Sequence, residues 1–150
     1  MRVSRSFVVL LLAAATPIAA EVEPALSAEW GSPLRLSANL GVRIGSAAAG
    51  EGTGRGVLLQ VQPGLGGGAL NVGFTPFSLS AWGAQAVGVA VKARLVRSWG
   101  SPAGIEPKET FGGVELEAAW IVKVSFGVLT RLGSGSGKAT VFTWSVGVGL

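Results

Sequence analysis

The sequence predicts an all-β chain, folded as an antiparallel up-and-down β-barrel of about eight strands. Three observations predict it. From Leu34 to Ile44 every even position is apolar and every odd one is polar or Gly, and the same alternation returns along the chain and in Phe142–Leu150. Successive side chains of a strand point to opposite faces, so this period of two gives each segment one apolar and one polar face. The polar face carries mostly Gly, Ala, Ser, Asn and Gln, small enough to fill the narrow interior of a small barrel. Finally, 24 Gly with only 7 Pro fit neither a collagen repeat nor a disordered tract, and the glycines fall inside the alternation.

Taken in order, residues 1–20 read as a secretory signal, with basic Arg2 and Arg5, an apolar run Phe7–Ala15 and a small-residue cleavage site after Ala20. Residues 21–32 are an N-terminal arm or a short first strand, and residues 33–150 form the barrel domain. Pro33–Ile44 is a strand and Gly45–Arg55 a small-residue loop. Gly56–Gly64 is a strand, Gly66-Gly67-Gly68 supplies the positive φ angles of a tight turn, and Ala69–Phe74 returns. Thr75–Ser80, with Pro76, is a loop. Ala81–Trp99 is a long strand, because Val87, Val89 and Val91 are β-branched at alternate positions, against a competing Ala-rich helix. Ser98–Glu109, with Pro102, Gly104 and Pro107, is a loop. Thr110–Leu132 is too long for one strand and takes a turn near Ala118–Ile121. Gly133–Gly137 is a loop, and Lys138–Leu150 is the closing strand, with which the sequence ends. Seven strands are clear on this reading, so an eighth lies in residues 22–32 or a turn is misplaced, since single-chain bacterial barrels have an even number.

Composition narrows the function classes. Charged residues are 13% of the chain, against roughly 25% in ordinary globular domains, and mean hydropathy is +0.54. Setting aside Arg2 and Arg5 leaves ten Lys and Arg against eight Glu, spread singly, so the basic balance does not argue for nucleic acid. With no His and no Cys, neither a Ser-His-Asp triad nor a thiolate nucleophile can form, and the common transition-metal ligands are missing. Gly64–Ala69 fits a dinucleotide-binding glycine pattern, but Asn71–Pro76 cannot supply the helix that would hold the phosphates. Gly137-Lys138 is followed by Ala139, not Ser or Thr, so it is a flexible loop and not a phosphate loop. Glu115 and Glu117 share a strand face and could do acid–base chemistry, but pairing with Lys and Arg is the simpler reading. We therefore expect no enzyme, cofactor or metal.

The leader, the alternating strands, the Gly-rich hairpins and the terminal Phe142, Trp144, Val146, Val148 and Leu150 series together resemble the small outer-membrane β-barrels of Gram-negative bacteria. That resemblance covers residues 33–150. It implies outer-membrane lipid as the surroundings and the barrel-assembly machinery, which reads the last strand, as a partner during biogenesis. Members of that class end in an aromatic residue and carry Tyr-rich belts, whereas this chain ends in Leu and has no Tyr. On this reading Arg35, Arg43, Lys92, Arg94, Glu115, Glu117 and Lys123 point inward as a paired network that plugs the lumen, because unpaired charge there is costly. Trp30, Trp82, Trp99, Trp120 and Trp144 are expected in an interfacial belt. The expected role is structural or in surface interaction, through Gly45–Arg55, Thr75–Ser80 and Ser98–Glu109. A soluble exported barrel that binds an apolar ligand within a Val-, Leu- and Phe-lined cavity is the alternative.

Overall fold

A computed structural model describes residues 21–46, 53–81, 84–101, 105–135 and 137–149. The expected signal segment, residues 1–20, Trp82, and residues 47–52 of the expected loop lie outside the described residues. The described residues form eight strands: β1 (Glu21–Ser32), β2 (Arg35–Ser46), β3 (Thr53–Pro63), β4 (Gly67–Ala81), β5 (Ala84–Ser98), β6 (Thr110–Ala119), β7 (Lys123–Arg131) and β8 (Thr140–Gly149). Each pairs antiparallel with the next, and β1 also pairs with β8 from Ser27↔Gly149 to Ser32↔Trp144, so the barrel closes on itself. Closure gives each strand a partner on both sides, which satisfies backbone donors and acceptors along the paired segments.

The missing strand is the N-terminal arm. Residues 21–32 pair with β2 along their full length, from Glu21↔Gly45 to Gly31↔Arg35. Its three Glu make it look like an exposed arm, but Glu23 and Glu29 fall at alternate positions and serve the inner face.

Two turn assignments shift and one loop disappears. Thr75–Ser80 is not a loop: β4 runs through it to Ala81. Pro76, which has no N–H to give the ladder, sits where the β4–β5 register jumps between Phe74 and Phe77, an irregularity that absorbs it. The β3–β4 turn is centred on Gly64–Gly66, with Gly64 N–H donating to Gly67 O at 2.8 Å, and Gly67 and Gly68 already belong to β4. No positive φ is used there. A Cβ on Gly68 would lie 2.8 Å from the Trp99 ring, so this glycine serves close approach instead. The β6–β7 turn covers residues 120–122, and Ala119↔Lys123 preserves the facing of both strands.

The two faces separate cleanly. Leu26, Leu40, Val61, Leu70, Val91, Leu116, Phe126 and Val146, one from each strand in order, are exposed on the outside. Of the described strand residues, the charged ones that are exposed are Glu21, Arg35, Arg55 and Arg97, all close to strand ends. The middle of the outer wall therefore carries apolar side chains without charge. The inside is polar apart from Leu58 and Ala90, except at the end formed by the β1–β2, β3–β4, β5–β6 and β7–β8 connections. There Leu34, Ala69, Val96, Ile105, Phe111, Leu129 and Val141 form a buried apolar cluster that caps the lumen. Ile105 enters from the β5–β6 connection, which is held by Ser98 Oγ donating to Glu106 O at 2.6 Å. The opposite end, where β1 begins and β8 finishes, leads into a cavity.

Candidate functional site

The lumen is a continuous ionic and amide network built from inward positions of neighbouring strands. Lys92 on β5 lies directly opposite Glu115 on β6, and its ammonium sits 2.8 Å from Glu115 and 2.7 Å from Glu117. Two residues further along β5, Arg94 pairs with the other oxygen of Glu115. Arg94 also donates to Gln62 Oε1 at 2.6 Å. Lys123, at the start of β7, reaches Glu117 at 3.2 Å and Glu29 at 4.0 Å. Cross-strand and diagonal neighbours on one face lie within reach of long side chains, which is why alternate positions on three adjacent strands can share ions.

Glu29 anchors the other side. Its carboxylate accepts from Ser27 and Ser145, both at 2.9 Å, from Gln62 Nε2 at 3.2 Å, and from Asn39 Nδ2. In this inner cluster Lys92, Arg94 and Lys123 balance Glu29, Glu115 and Glu117, three cations against three anions. A buried ion is tolerated only when paired and hydrogen-bonded, and this stoichiometry meets that demand. Glycines make the room: a Cβ on Gly73 would lie 2.8 Å from Lys92 Cγ.

Nearer the open end, Arg43 pairs with Glu23 opposite it in the β1–β2 register and donates to Ser78 Oγ at 2.6 Å. Near the capped end, Arg131 reaches Glu109 at 3.0 Å and Gly137 O at 2.8 Å, tying the β5–β6 and β7–β8 connections together.

Of the seven inward charges expected from the sequence, Lys92, Arg94, Glu115, Glu117 and Lys123 meet in the inner network and Arg43 forms its own pair closer to the opening. Arg35 does not join them. It opens β2 at φ 61° with its side chain exposed, because alternation lapses where the strand leaves the turn. Sequence reasoning missed Glu23, Glu29, Asn39, Gln62 and Asn71. The signal was present, since these positions keep the inward parity of their strands once residues 21–32 are taken as β1.

Among the described residues, the tryptophans lie on the outer wall and its rims. Trp30 and Trp144 form an edge-to-face pair across the β1–β8 seam, with centroids 5.0 Å apart. Trp99 is exposed at the capped end and Trp120 in the β6–β7 turn at the other. Trp144 sits within β8 and not at its end. The three segments expected to carry surface interaction fall at different ends: Ser98 and Glu109 lie at the capped end, whereas Ser46 and Thr53, described residues of the expected Gly45–Arg55 loop, and residues 75–80 belong to the opposite half.

At the open end, a cavity of about 410 Å³ is lined by Glu23, Arg43, Leu58, Gln60, Thr75 and Lys123, among others. Among the described residues no cluster of His, Cys, Asp or Glu is arranged to hold a metal ion.

Fold and lumen define the class: a closed eight-stranded antiparallel barrel with a charge-balanced polar interior, an apolar outer wall and one capped end. No protein family, curated protein or solved structure matches this chain.

Proposed function

We propose that the protein is an exported, non-enzymatic β-barrel of a bacterial outer membrane, with a structural or surface-interaction role. One observation carries this reading. Every strand contributes exposed apolar side chains to a wall whose middle has no charge, while the ions are turned inward. In water such a wall would be an aggregation surface far beyond the few hundred Å² that soluble monomers expose. In a bilayer it is the surface the hydrocarbon requires. The soluble alternative calls for the reverse arrangement, with Val, Leu and Phe around a ligand inside.

The lumen then serves as a structural plug. Eight strands leave no open aqueous channel, and Lys92, Glu115 and the apolar cap close the lumen beyond the open-end cavity. Surface interaction falls to the capped end. Its connections include residues 99–109 and 132–139, whereas the open end has residues 47–52, 82–83 and 120–122. Barrels of this class keep shorter turns on the periplasmic side and longer loops outside, so the capped end is assigned to the exterior. Retention of the expressed protein in alkaline-carbonate-washed outer membranes supports the proposal. Release into the soluble fraction overturns it.

A further inference from the structure

We propose that the open-end cavity is a binding site for a short zwitterionic peptide, held through its amide group by Gln60 and through its charged ends by the ions around it. The site lies inside the barrel, so the proposal does not depend on whether the outer wall faces lipid.

Gln60 is the observation that points to a ligand. It is 4% exposed, it lines the cavity, and both its Nε2 and its Oε1 are buried without a hydrogen-bond partner. A buried amide left unpaired is costly, and native interiors keep few of them. The backbone makes space for it, because a Cβ on Gly41, its cross-strand partner, would come within 2.6 Å of Gln60 Cγ. One donor beside one acceptor is the complement of another amide, which a peptide bond supplies and a simple anion or cation does not.

The walls set the charge of the guest. Arg43 and Glu23 stand on the β1–β2 side, and Lys123 and Glu117 on the β6–β7 side. Glu21 adds a third carboxylate at the exposed start of β1, so both signs face the cavity, and a zwitterion can meet a cation with its carboxylate and an anion with its ammonium. Leu58 and Ala90 offer an apolar floor for small side chains. The volume, about 410 Å³, lies within the range of small-molecule sites.

The test is a titration of the folded, full barrel with alanyl-alanyl-alanine, followed by NMR at the Gln60 side-chain amide and the Thr75 backbone amide. N-acetyl-alanyl-alanine amide, which keeps the peptide groups and loses the charges, is titrated in parallel. The expected result is a saturable shift at both reporters with Kd about 1 mM or tighter, and weaker binding of the capped probe. Gln60→Leu removes two unpaired atoms and is expected to fold at least as well, while binding falls about tenfold or more at the Thr75 reporter. Leu58→Trp, which fills the cavity and leaves Gln60 in place, is expected to abolish the shifts. A barrel that folds but gives no saturable shift overturns the proposal, as does equal binding of the capped probe or unchanged affinity in both variants. Those outcomes leave membrane partition, and with it the proposed function, untouched.

Discussion

Lys92 and Glu115 face each other as a cross-strand pair of β5 and β6, and the ammonium of one lies 2.8 Å from the carboxylate of the other. Because Lys92 also holds Glu117, its removal leaves the inner cluster with one excess negative charge out of reach of water. Breaking a buried pair from one side costs about 3–5 kcal/mol. Lys92→Met is therefore expected to lower stability by that order in urea unfolding of the vesicle-reconstituted protein. Adding Glu117→Gln restores the balance, with Arg94 and Lys123 against Glu115 and Glu29, and the double variant is expected to be more stable than Lys92→Met alone. Additive losses would show that charge balance does not hold the lumen together.

Glu29 gathers neutral donors from β1, β2, β3 and β8. Glu29→Gln keeps the shape and part of the bonding, whereas Glu29→Leu strands Asn39, Gln62 and Ser145. Hydrogen bonds to a charged group contribute about 1.5–3 kcal/mol each, and orphaned partners add their own desolvation cost. The Leu variant is expected to be the less stable by a clear margin, read from the same unfolding midpoints. The opposite order would mean that Glu29 is held against its own burial cost.

Outward substitutions are expected to depend on depth. Val91 is an exposed outer-wall residue within β5, and Thr130 lies beside the end of β7. Arg at the bilayer midplane of such a wall costs about 2–4 kcal/mol and near the interface about 0–1. Val91→Arg should impair membrane assembly, and Thr130→Arg should be tolerated. Equal tolerance, measured as the folded fraction recovered in the membrane, contradicts the placement of the wall in lipid.

Gly73 tests the fit of the lumen. A Cβ there meets Lys92 Cγ at 2.8 Å on a side chain already fixed by two carboxylates. Overpacking of this kind typically costs about 1–3 kcal/mol. Gly73→Val is expected to lower the unfolding midpoint accordingly. Gly68→Ala, opposed by an exposed Trp99 ring that can swing aside, should change it less.

The barrel class was legible because period-two alternation survives almost everywhere, and parity alone sorted Lys92, Arg94, Glu115, Glu117 and Lys123 to one face. What was not legible depended on neighbours distant in sequence. β1 carries Glu21, Glu23, Pro24 and Glu29, a composition by which local propensity leaves an exposed arm and a short first strand both open. Its carboxylates become tolerable only beside Arg43 and Lys123. Pro76 argued for a loop because a lone segment cannot reveal that its partner strand will yield a register shift at that point. Arg35 failed for the opposite reason, since parity loses meaning in the first residue after a turn. The cavity was invisible, as it exists only where Gln60, Arg43 and Lys123 converge from three strands.

The central claim is the facing of the strands in their surroundings. The chain has no Cys, so single cysteines at consecutive positions along β5 and β6 can each carry a nitroxide. Oxygen, which concentrates in lipid, and a polar nickel chelate, which stays in water, can then be compared as relaxation agents in vesicles. The account predicts oxygen accessibility that alternates with period two. Its maxima fall at Val89, Val91, Ala93 and Leu95 on β5, and at Val114, Leu116 and Ala118 on β6. Maxima shifted by one residue, or nickel accessibility dominating at those same positions, would contradict it.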